Sequence, residues 1–95
     1  MNFFEKFGFL EDEQKEYEDI TPEEIKKMIS KHNKLVETNL QFLKDLEINT
    51  YKEIFINYPD MFLMDASNFE KYFNRYEKEA LQEKLNTNYK VVKFL

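Results

Sequence analysis

The sequence predicts an all-α domain, a small array of about five to seven stacked short helices arranged as helical-hairpin repeats. Three observations predict it. The 95 residues include one glycine and two prolines, with abundant Glu, Lys and Leu, a composition that favours helix over a sheet with tight turns. Cap signatures of the Ser/Thr-x-x-Glu/Gln kind precede several apolar runs. Within those runs apolar residues recur at i, i+3, i+4 and i+7, one face of a helix.

Taken in order, the elements follow from local chemistry. Asn2 with Glu5 is placed to cap a first turn, and Phe3, Phe4, Phe7 and Leu10 have helical spacing that Gly8 interrupts. Residues 1–10 are therefore expected to be a capping helix that plugs one end of the core. Only Lys6 could give it a basic face, so a membrane-surface anchor is not favoured. Residues 11–20 form an acidic stretch, Glu11, Asp12, Glu13, Glu16, Glu18 and Asp19 around Tyr17. One reading is a solvated linker, because such charge blocks repel and resist packing. The other is a lure for a basic protein groove, with Tyr17 as its anchor.

Residues 21–95 are expected to be the repeat core. Thr21 caps, Pro22 takes the first helical position and Glu24 closes the box. Ile25, Met28, Ile29 and His32 make one face, with Lys26, Lys27, Lys31 and Lys34 on the other side or at its edge. Asn33 ends this helix in left-handed geometry, Leu35 and Val36 form an apolar turn, and Thr38 with Gln41 caps the next helix. Leu40, Leu43 and Leu46 carry its stripe, with Phe42 beside them. Thr50 with Glu53 is a further capping box, followed by the stripe Tyr51, Ile54, Phe55 and Tyr58. Pro59 stops that helix, Met61 and Phe62 turn, and Ser67 with Glu70 opens a helix bearing Phe69, Tyr72, Phe73 and Tyr76. Leu81 and Leu85 mark a last helix with Ala80 beside them. Val91, Val92, Phe94 and Leu95 form an apolar tail expected to dock.

A repeat underlies this order. Ile25, Ile29, Leu35 and Val36 fall onto Tyr51, Phe55, Met61 and Phe62 at a shift of about 26, and onto Leu81, Leu85, Val91 and Val92 at about 56. The stop positions are Asn33, Pro59 and Tyr89. Stacked arrays show self-similarity of this kind, each unit burying its face on the next. Residues 21–46 and 54–76 resemble the repeats of the mitochondrial transcription termination factor (mTERF) family, a resemblance that covers roughly residues 21–95. Those repeats pair a helix ending near a proline with a short apolar turn and a second leucine-rich helix. The proline is present at Pro59 alone, and Leu46-Glu47-Ile48-Asn49 stands where the family often has a glycine. The resemblance implies a stacked array with a basic concave face for nucleic acid, and would assign Lys26, Lys27, Lys31 and Lys34 to it.

Composition restricts function. The net charge is −5 and Arg75 is the one arginine, a balance that disfavours general affinity for nucleic acid. There is no cysteine, hence no disulfide and no thiolate metal site. No apolar run approaches the roughly 20 residues of a membrane span, and no signal-peptide pattern opens the chain. A cytoplasmic location is expected. His32 is the one histidine. Ser30, two residues away on a helix, points elsewhere, so His32 is expected to be a partly buried helix-end residue favouring the terminal dipole. Glu23 with Glu24, and Asp60 with Asp65, lack the pocket or ligand companions of a catalytic or metal site, and no phosphate-binding glycine loop exists. No cofactor is expected. The leading expectation is a non-catalytic protein-interaction module. The alternatives are a nucleic-acid-binding repeat protein, and a small acidic inhibitor from a phage or mobile element that occupies a nucleic-acid-binding protein.

Overall fold

The computed structural model describes residues 3–95, so the expected Asn2 cap lies outside them. Seven α-helices follow one another: α1 (Phe3–Lys6), α2 (Glu11–Ile20), α3 (Glu23–Lys31), α4 (Asn33–Asp45), α5 (Tyr51–Asn57), α6 (Ala66–Asn74) and α7 (Lys78–Thr87). Two 3-10 segments, Pro59–Leu63 and Tyr89–Phe94, follow α5 and α7. The described residues contain no strand, and none of their helices is long and apolar enough to cross a membrane.

Phe55 is the hub of the core. Its ring stacks on Tyr17 at 5.1 Å and meets Phe3, Phe4, Phe9 and Phe62 edge-on or steeply tilted. Phe62 continues to Phe69, and Phe69 to Phe73. One aromatic group from α1 and α2 is thereby joined to a second from α6. Burying each large side chain stabilises by roughly 1.5–3 kcal/mol, and each well-placed ring pair adds about 0.5–1.5 kcal/mol. Ile29, Phe55 and Leu85, the equivalent positions of the three repeats, are all fully buried.

The second repeat and the incomplete third share the structure of their first halves. In each, a helix gives way to a 3-10 segment that begins at the stop residue, Pro59 or Tyr89, and buries the residue three positions on, Phe62 or Val92. The first repeat departs from this. α3 passes into α4 through His32 alone, so Leu35 and Val36 lie in the first turn of α4 and not in a separate turn. Asn33 retains the amide that proline lacks, is not left-handed, and donates its side-chain Nδ2 to the Ser30 carbonyl at 3.1 Å. The helical ladder resumes at once, with Val36 N–H donating to the His32 carbonyl. His32 sits at the junction but is exposed, not partly buried.

Most of the expected side-chain caps do other work. Pro22 occupies the cap position of α3 and the buried Thr21 hydroxyl has no partner. Thr38 lies inside α4 and donates to the Lys34 carbonyl. Thr50 donates to the Leu85 carbonyl at 2.9 Å, tying the start of α5 to the end of α7. Asp65, not Ser67, caps α6 by accepting from Asn68 N–H. α4 ends in a Schellman motif, with Ile48 N–H donating to the Leu43 carbonyl and Glu47 N–H to that of Lys44. Glu47 adopts φ 59° there, the left-handed conformation that glycine takes with least strain.

Two chain segments also differ from expectation. Residues 11–20 are a helix, not a linker. Glu11, Asp12 and Glu13 favour the positive end of its dipole, and Tyr17 anchors it on Phe55. In the terminal tail Val92 docks, but Phe94 is 81% exposed. At the other end Gly8, at φ 75°, turns the chain so that Phe9 enters the core and Leu10 does not. Ala80 likewise faces solvent beside the buried Leu81.

Candidate functional site

α2 is where the charge of the molecule resides. It holds six of the 19 acidic residues and one of the 14 basic ones, so its net charge equals the −5 of the whole chain. The remaining residues balance. Tyr17 sets the helical phase by pointing into the core, and that places Asp12, Glu16 and Asp19 in one solvent-facing row at i, i+4 and i+7. Successive positions in the row are about 6 and 4.5 Å apart along the axis. Lys15 sits on the same face and pairs with Asp19 at 2.9 Å, and Glu11 is exposed beside Asp12. Leu10 and Ile20, at the two ends of α2, are 62% and 52% exposed.

The other expected docking residues have internal duties. Glu13 accepts from Leu10 N–H at 2.8 Å and from Lys52 Nζ at 3.1 Å, closing the start of α2 onto α5. Glu18 holds Lys26 through its carbonyl and carboxylate. Tyr17 is core, not a partner anchor. Burial, followed by the nearby Glu18 charge, pushes its phenol up to about 12.

Of the lysines assigned to nucleic acid, Lys26 is engaged. It also pairs with Glu23 at 2.8 Å, and this hydrogen bond raises the Lys26 pKa and lowers that of Glu23. Lys27, Lys31 and Lys34 are exposed and form no ion pair among the described residues. They straddle the α3–α4 junction. Among the described residues no group of three His, Asp or Glu side chains is arranged to hold a metal ion.

The Tyr17 hydroxyl is buried without a partner, and such a group opposes folding. Tyr17→Phe is therefore expected to stabilise the domain by up to about 1 kcal/mol, read from urea or thermal unfolding. The pH dependence follows from linkage. The folded phenol ionises at about 12 against an ordinary value of 10.0, so its contribution is intact below pH 10 and is lost as pH rises towards 12. The Tyr17→Phe variant should lose less stability across that interval.

Sequence reasoning overlooked Asn39. It is fully buried, and its Nδ2 donates to the carbonyls of Phe62 and Met64 at 3.0 and 2.9 Å. A signal was present, since Asn39 falls inside the apolar stripe of Val36, Leu40 and Leu43. A polar residue on a core face needs a partner. Compared with protein-family models, curated proteins and solved structures, the chain matches none.

Proposed function

We propose that the protein is a non-catalytic interaction module that docks a basic protein surface on the outward face of α2. One observation carries this reading: the entire net charge of the chain lies on a single helix whose inward face is fixed by Tyr17. Such a face steers a basic partner and fixes its orientation. Leu10 and Ile20 flank it with apolar surface, the kind that a docked interface removes from water. A second reading narrows the partner to a nucleic-acid-binding protein. The outward carboxylates Asp12, Glu16 and Asp19 of α2 form a row at about 6 and 4.5 Å along the axis, a regular line of negative charge of the kind a nucleic-acid strand presents.

The test compares wild type with the Asp12→Asn, Glu16→Gln, Asp19→Asn triple variant as baits in affinity capture from the source cell. Wild type should retain basic proteins at about 50 mM salt and lose them near 300 mM, where the Debye length has fallen below about 8 Å. The triple variant should lose them at both. Capture that is indifferent to the variant contradicts the reading.

A further inference from the structure

We infer that the groove lined by both 3-10 segments is the contact surface of a weak two-fold dimer, in which Phe94 of each copy seats in the groove of the other. The groove has a volume of about 310 Å³. Tyr58 and Met61 wall it on the side of Pro59–Leu63, Val92 walls it on the side of Tyr89–Phe94, and Met64 and Tyr72 complete it. The fold holds its shape. Tyr72 Oη donates to the Val92 carbonyl at 2.7 Å, and Asn39 Nδ2 holds the Met64 carbonyl at 2.9 Å. Methionine side chains adapt to an incoming ring, and interfaces are enriched in tyrosine and methionine.

Two observations identify the occupant as a second copy of this chain. The first is Phe94. At 81% it is the most exposed large apolar side chain among the described residues, and it belongs to the same 3-10 segment as the groove-lining Val92 and Lys93. A single exposed ring is ordinary. A ring carried on the wall of an apolar groove is a plug beside a socket. The second observation is charge. Asp60 and Lys93 both line the groove and both are exposed. Neither forms an ion pair among the described residues. Lys93 Nζ lies over the Tyr58 ring at 5.7 Å instead. In a two-fold contact residue i meets j, and j meets i. A surface that holds a plug, a socket, an acid and a base is complementary to itself, so that Asp60 of each copy meets Lys93 of the other.

The size of the contact sets its strength. Each phenylalanine ring buries about 150–250 Å², and two of them fall well short of the roughly 1,200 Å² at which standard interfaces begin. The dimer is therefore one that forms at about 1 mM and has dissociated at about 10 µM. No residue of α2 lines the groove, so this contact is separate from the acidic face.

The experiment is sedimentation equilibrium of the whole chain between about 10 µM and 1 mM. Wild type is expected to pass from monomer to dimer and no further, because a two-fold contact closes. Phe94→Ala should dimerise about tenfold or more weakly, with an unchanged circular dichroism spectrum. Asp60→Lys and Lys93→Asp should each lose self-association, since each sets like charges against one another at both ends of the contact. Mixed in equal amounts, these two variants should pair with each other, because every contact then joins opposite charges. Pairing that neither variant shows alone cannot arise from a change within one chain. The Asp12→Asn, Glu16→Gln, Asp19→Asn variant should dimerise at least as tightly as wild type. The inference is overturned by wild type that stays monomeric to about 1 mM, by association beyond the dimer, by Phe94→Ala dimerising as tightly as wild type, or by a mixture of the two charge variants that stays monomeric.

Discussion

Phe55→Ala is expected to lower the unfolding free energy by about 3–5 kcal/mol. A domain of this kind has a total stability of about 5–15 kcal/mol, so one substitution removes a large part of it. The reason is position as much as size. The Phe55 ring touches Phe3, Phe4, Phe9, Tyr17 and Phe62, residues from both ends of the core. Deleting it leaves a cavity between two aromatic groups that cannot collapse without moving α1 and α2 towards the 3-10 segment at Pro59–Leu63. Phe94→Ala is the matched control. It removes the same ring from a position 81% exposed and should change stability by no more than about 0.5 kcal/mol. Urea unfolding of both variants checks the pair. A loss below about 1 kcal/mol for Phe55→Ala would remove Phe55 from the centre of the core.

That contrast also marks how far the sequence could be read. Helical spacing identified the stripes around Ile29, Phe55 and Leu85, because periodicity reports which side chains share a face. Pro59 marked its boundary because the missing amide acts locally. The α3–α4 junction could not be read the same way, since Asn33 permits both a stop and a continuation. The Thr50 hydroxyl was equally ambiguous. Its partner, the Leu85 carbonyl, is 35 residues away, and no local pattern reveals it. The acidic residues of the candidate site were all visible as a segment. Which of them face solvent was not, because the phase of α2 depends on Tyr17 meeting Phe55. Glu13 turned inward to Lys52, and the exposed Glu18 reached across to Lys26, for the same reason.

Asn39→Leu is expected to cost about 2–4 kcal/mol, although the new side chain is apolar and of similar size. The carbonyls of Phe62 and Met64 lie at the end of the 3-10 segment Pro59–Leu63, where helical carbonyls run out of internal partners. Asn39 Nδ2 donates to both, so its loss strands one buried and one part-buried acceptor, at about 1–3 kcal/mol for a buried one and less for the other. Losing the partnerless Oδ1 offsets part of this. Asn39→Asp separates hydrogen bonding from packing. An ionised carboxylate can donate to neither carbonyl and would face both with like polarity, whereas the protonated acid can donate to one. Burial and the two carbonyls raise the folded pKa of the introduced carboxyl above its unfolded value of about 3.9. Its stability contribution is then greatest below about pH 4 and is lost as pH rises through the folded pKa. Other carboxylates titrate in the same range, so the informative quantity is the difference between Asn39→Asp and Asn39→Leu at each pH. Asn39→Asp should be the less stable of the two at about pH 7, and the gap should close or reverse near pH 4. A difference that does not change with pH would mean that Asn39 does not hold the 3-10 segment through its amide.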